Sequence, residues 1–252
     1  MKNKKYELTD ESIKRSGVTL YRIRALRDFG NVKKGALGGF VQSEANLSHY
    51  GDSWVYSDAK VFDHARVIDN GKVFYKAEVY GNAIVIKDSR VDHKARVCGQ
   101  AILTDFARVD EDATVCGQAI IKDYANVRGD AWIGGNAIVS KHSCVSGNAY
   151  VSHSAEIAVA TPESFLKTTA FIHDDAFISV PNDVLVISPI GQYNDILTAY
   201  RSKRGGIAVN IGRYDGTLDE FTSKFLAENT NTLYLEQYKV TIAFIKQFFR
   251  IN

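Results

Sequence analysis

The chain has 252 residues, with 31 Lys and Arg against 29 Asp and Glu, and 45% of it is hydrophobic. That balance is ordinary for a globular protein, and no apolar run approaches the roughly 18 to 20 residues of a membrane span. A net charge of +2 gives no concentrated basic surface for nucleic acid, three Cys form neither a disulfide framework nor a C-x-x-C metal pair, and the opening MKNKKYELTD lacks a signal peptide's apolar stretch, so a cytoplasmic setting without membrane or metal is expected.

The first readable segment, VTLYRIRALRDFGNVKKGALGGFVQSEANLSHYG from Val18, is basic, and its apolar stretch reads as strands. From Asp52 to Val159 the chain then divides without a slip into 18 hexads, from DSWVYS to SAEIAV. The second position is always small, with Ala at 14 places, Ser at Ser53, Ser89 and Ser143, and Gly at Gly71. The fourth is always Val, Ile or Leu, from Val55 through Leu103 to Ile157. Neither a helical period nor simple alternation gives a strict six. Short flat segments joined by equal corners do, with one aliphatic residue pointing inward per segment and a small residue beneath each corner. Three segments close a triangular coil of 18 residues, and stacked coils pair at about 4.8 Å. Gly81, Gly99, Gly117, Gly129, Gly135 and Gly147 stand at the corners, where positive φ is often needed. Open coil ends expose unpaired backbone, so residues 1–51 are expected to cap the first coil.

These hexads resemble the hexapeptide-repeat family, and the resemblance, over roughly 108 of the 252 residues, implies a left-handed parallel β-helix. The segment DFGNVKKGALGGFV is similar to the opening of uncharacterised transferase-like members of that family, many of them from prophages. After Ile157 the register breaks across AVATPESFLKT, where Pro162 suggests that the chain loops out. The hexads TAFIHD and DAFISV then restart the pattern, which places the solenoid over residues 52–180.

Residues 183–252 change style. DVLVIS, ILTAYRS and IAVNIG read as three strands, with turns at Pro189, Gly191, Gly205 and Gly206. Thr217 to Glu220 has the form of a capping box opening a helix to about Asn229, and TLYLEQYKVTIAFIKQFF reads as a second helix. The expected fold is therefore mainly β: a triangular solenoid with an N-terminal cap and a small C-terminal α+β module. That module is similar to ones attached to hexapeptide repeats in phage proteins.

Third-position residues 18 apart should stack outward. Ile84, Ile102, Ile120 and Ile138 then form an apolar stripe suited to an oligomer interface, and the resemblance to trimeric hexapeptide proteins implies a homo-oligomer, trimer or dimer. A second face stacks Lys72, Arg90, Arg108 and Arg128 beside Asp92 and Asp110, and reads as a salt-laced solvated face. The third carries Phe62, Tyr80, Cys98 and Cys116, then Trp132 and Tyr150, an aromatic ladder suited to packing a loop. Hexapeptide proteins are best known as acyltransferases, which implies acyl-CoA as a donor and a catalytic His. No His here sits in such a motif, and His142 is the least poor candidate for a general base. In the C-terminal module, Asn194, Asp195, Arg201, Arg213 and Tyr214 gather around a Gly turn and are the candidate ligand-binding residues, with a phosphate or nucleotide in view. The leading expectation is a non-catalytic binding or scaffold protein of phage or prophage origin, without a cofactor. It would assemble through the β-helix and recognise a host protein or ligand with the C-terminal module. An acyltransferase and a nucleotide-binding or ligand-sequestering inhibitor of a host pathway are the alternatives.

Overall fold

The computed structural model describes residues 4–160, 165–167, 170–173, 175–228 and 232–251. The six-residue period takes the form of very short strands separated by corners, three to a turn. Residues 18 apart pair in parallel, as Arg90 with Arg108, Arg96 with Thr114 and Ile102 with Ile120 do on the three faces. Two faces are seven strands long and the third is extended by N-terminal strands to ten, so the molecule is a parallel β-solenoid of about seven turns. Fourth-position side chains fill its interior and second-position alanines lie buried beneath the corners. Where Ser replaces Ala, its hydroxyl is used: Ser89 Oγ donates to the Ile86 carbonyl at 2.7 Å and Ser143 Oγ to that of Ser140 at 2.6 Å. Corners take positive φ, and Asp63, Tyr75 and His93 adopt it as glycine does. Glycine becomes necessary where corners lie on one another, since a Cβ on Gly99 would come within 2.8 Å of the Gly117 backbone.

Three strands close the N-terminal end: β1 (Tyr6–Arg15), β2 (Val18–Ala25) and β3 (Leu37–Val41). They pair antiparallel in that order, and β3 then runs parallel to the solenoid strand Lys60–Val61. Strand β1 escapes the sequence reading because YELTDESIKR is mostly polar and fully buries only Tyr6. The rings of Tyr6, Phe29 and Trp54 fill the mouth of the first coil. Its open carbonyls meet donors. Lys5 Nζ reaches the Ser53 carbonyl at 2.7 Å, and Asn46 Nδ2 bonds those of Asp63 and Ala65 at 3.0 and 2.9 Å.

The expected excursion around Pro162 falls on residues 161–164, outside the described residues. Beyond it the ladder continues: Phe165–Lys167 pair with Cys144–Ser146 at an offset of 21 rather than 18, and Tyr150 with Phe171 and Glu156 with Phe177 keep that offset. One coil is thus longer by three residues, and the restart hexads resume their faces.

The C-terminal module has four strands rather than three: β4 (Val184–Ile190), β5 (Asp195–Arg201), β6 (Ile207–Ile211) and β7 (Tyr214–Thr217). Strand β7 is short and polar, and only its tight turn with β6, pairing Ile211 with Tyr214, defines it. Helix α1 (Leu218–Glu228) opens on the expected capping box, Thr217 N–H donating to Glu220 Oε2 at 3.0 Å and Glu220 N–H to Thr217 Oγ1 at 3.2 Å; Asn229 lies outside the described residues. Helix α2 (Thr232–Phe249) follows. Alternation divides the sheet's two faces. Leu197, Ala199, Ile207 and Val209 pack on Phe221, Tyr238 and Ile245 of the helices, while Val184, Val186, Tyr200 and Ala208 pack into the solenoid core. The sheet therefore plugs the last coil. It supplies acceptors to open N–H groups: Thr198 Oγ1 takes Phe171 N–H at 3.1 Å, and Tyr200 Oη takes that of His173 at 3.3 Å. Among the described residues no helix is long and apolar enough to cross a membrane.

Candidate functional site

Ile84, Ile102, Ile120 and Ile138 are direct register partners on one face, half-buried in the single chain, with Ile68 and Ile86 half-buried beside them. The row ends on charge, at Arg66 and Glu156. The C-terminal module does not fold back over it, because its sheet sits on the end of the solenoid.

On the second face Lys72, Arg90 and Arg108 are in register, whereas Arg128 falls on the parallel row of Asp92 and Asp110. Asp92 is fully buried and receives Arg90 Nε at 2.5 Å, with Arg108 Nε 3.2 Å away. Arg108 also reaches Asp110, whose other oxygen lies 2.5 Å from His93 Nδ1. Burial alone would raise the Asp110 carboxyl, but the His93 hydrogen bond, the Glu111 N–H and Arg108 together hold it below the usual carboxylate range. His93 stacks on Tyr75 at 4.9 Å and borders a groove of about 370 Å³ with Lys76, Lys94, Glu111 and Asp112. His142, by contrast, ends an exposed ring stack with Phe106 and Tyr124, at 5.0 Å per step, and carries no carboxylate. The sequence points to His142 rather than His93; only the coil register brings Asp110 under His93, 17 residues away.

On the third face Phe62 and Tyr80 stack at 5.1 Å beneath Ile13, Val18 and Leu20 of the β1–β2 hairpin. Cys98 and Cys116 follow; burial, with Cys98 beside it, pushes the Cys116 thiol up to about 11, so it is a poor nucleophile and metal ligand at neutral pH. Among the described residues no group of three or more His, Cys, Asp or Glu is placed to hold a metal ion. Further along, Trp132 stacks on Tyr150 at 4.4 Å, and Tyr150 meets Phe171 at 6.2 Å.

The five polar residues singled out in the module separate. Asn194 and Asp195 line one pocket of about 280 Å³ with Phe171, Ile196, Asn210 and Gly212, and Arg213 stands exposed at the hairpin tip next to it. Tyr214 turns to the helix layer, its ring 5.3 Å from Phe221. Arg201 lies at the far end of β5, roughly 20 Å away at about 3.3 Å per residue. There it pairs with Asp183 at 3.0 Å and donates to the Phe249 carbonyl at 3.2 Å, tying α2 to the start of β4. A larger cleft of about 590 Å³ opens elsewhere along the seam, but two of its charged groups are already engaged, Asp175 with Arg204 and Glu220 with Thr217.

No protein-family model matches the chain, and no curated protein matches it either.

Proposed function

We propose that this protein is a non-catalytic, self-associating scaffold of the hexapeptide-repeat kind, in which the solenoid joins its copies through the isoleucine face and the C-terminal module carries recognition. Phage or prophage origin and a cytoplasmic setting accompany this reading through the sequence resemblance and composition. The observation that carries it is the in-register row Ile84, Ile102, Ile120 and Ile138, left open by a chain that plugs both coil ends with its own sheets. A rigid, flat row of isoleucines at coil spacing gains about 25 cal/mol per Å² when a second copy covers it, and a closed trimer or dimer gives each row a partner. Light scattering on the purified protein is expected to give a multiple of 27.9 kDa, and Ile102→Glu with Ile120→Glu to return it to one chain with unchanged circular dichroism. A wild type that stays monomeric at micromolar concentration, or a double variant that keeps its mass, refutes the reading.

One observation favours a second reading, transfer of an acyl group from acyl-CoA. The carboxylate on His93 Nδ1 orients that imidazole as a general base needs, beside an open groove. Acetyl-CoA turnover lost in His93→Ala and kept in His142→Ala supports it; no turnover with thioester donors ends it.

A further inference from the structure

The isoleucine row has a direction that its four equal residues conceal. In register order it reads Arg66, Ile84, Ile102, Ile120, Ile138 and Glu156, so a cation closes one end and an anion the other. At about 4.8 Å per coil the two charges stand roughly 24 Å apart. Arg66 is exposed, and its side chain makes no ion pair among the described residues. Glu156 lies 3.3 Å from Lys203 of the module, yet its side chain remains 32% exposed. The corner beside the row repeats the same midpoint. Two residues before each isoleucine stand Asn82, Gln100, Gln118 and Asn136, all exposed, in an order that is the same from either end. On the other side of the row, from Ile68 to Ala158, the one charged residue at coil spacing is Lys122, close enough to Asp105 to act on its carboxyl.

We infer that the isoleucine face joins two copies with their prisms antiparallel, about a two-fold axis that runs along the strands between Ile102 and Ile120. The inference rests on the self-association proposed above and names its partner: one second copy, in reversed orientation. Such an axis keeps each row opposite its own copy and reverses its order. Ile102 then meets Ile120 of the partner subunit, Ile84 meets Ile138 of the partner subunit, and at each end Arg66 meets Glu156 of the partner subunit. The corner amides fall opposite one another in the same way, Gln100 against Gln118 of the partner subunit and Asn82 against Asn136 of the partner subunit. Parallel prisms, in a dimer or around a three-fold, keep every coil level with its own copy. Where isoleucine rows met, Arg66 would then stand by Arg66 and Glu156 by Glu156, so like charges at both ends oppose that arrangement. Opposite charges at both ends favour the reversed one. The contact is the same patch on both copies, so it closes at two chains. The two C-terminal modules then stand at opposite ends of the pair and present their recognition surfaces in opposite directions.

The test combines mass with cross-linking on the full chain. Light scattering is expected to give twice 27.9 kDa. Under oxidation by copper phenanthroline, a chain carrying both Arg66→Cys and Glu156→Cys is expected to link into pairs, and either single variant to stay unlinked. The roughly 24 Å between the two positions prevents a link within one chain. Wild type is the blank, since Cys98 and Cys116 lie on another face and Cys144 is buried. Arg66→Glu is expected to raise the dissociation constant about tenfold, and Arg66→Glu with Glu156→Arg to recover it. If the Glu156 variants do not fold, Arg66→Cys decides alone, because a two-chain particle in which it fails to link to itself has its prisms reversed. A three-chain mass, a link in either single variant, or no recovery in a folded double reversal overturns the reversed pairing and leaves association through the isoleucines standing. A wild type that stays monomeric removes both, so mass tells the two failures apart.

Discussion

Lys5 is a fully buried cation, and its position explains why it is tolerated. Its ammonium caps the Ser53 carbonyl and hydroxyl at 2.7 and 3.0 Å, groups at the coil end that would otherwise lack donors. Desolvation, with Arg27 nearby and only partly offset by Asp52, lowers its pKa to about 8. Between about pH 8 and the value of roughly 10.4 expected in the unfolded chain, the unfolded state holds the proton and the folded state has lost it, so stability rises with pH. The rise is about 3 kcal/mol at most; it is opposed from about pH 8.5 by Cys116, pushed up to about 11, and above about pH 10 by Tyr80 and Tyr214, both pushed up to about 12. Between about pH 7.5 and 9.5 the urea midpoint of the wild type is expected to rise relative to that of Lys5→Met, whose own midpoint falls as the Cys116 thiol ionises in the unfolded chain; midpoints of the two that move in parallel contradict the assignment.

Among the elements, the solenoid strands were legible because one aliphatic and one small residue recur in every hexad, a pattern fixed by the interior alone. Strand β1 was not, because most of its residues are polar and exposed and its place is set by pairing with β2, with Tyr6 its single fully buried ring. Strand β7 was hidden for a similar reason, and the three residues added to the penultimate coil looked like a break because spacing, not composition, had marked the ladder. The sites follow the same rule. The isoleucine row is periodic and visible, whereas the His93–Asp110 pair and the seam pocket join residues by stacking or plugging, which no local pattern records. The plug itself is testable. Tyr200→Phe keeps the buried ring but withdraws the acceptor from the His173 N–H, and is expected to cost about 1–3 kcal/mol in chemical denaturation. An unchanged midpoint would mean that the hydroxyl does not cap the coil.

For the whole molecule, the two ends are closed by opposite chemistry. Donors from Lys5 and Asn46 meet carbonyls at the first coil, and acceptors from Thr198 and Tyr200 meet N–H groups at the last. Each coil between them touches only its neighbours. An in-frame duplication of residues 96–113 is therefore expected to fold with a similar melting midpoint, and one that is a residue shorter to lose cooperative unfolding. Loss of folding in both would show that the ends sense the middle. Neither cap fits the opposite end, so the chain resists growing head to tail into a fibre. Length can change only by whole coils, each adding about 4.8 Å, which makes the prism a ruler whose graduations are written in the gene as steps of 18 residues, lengthened to 21 where one coil carries an insertion.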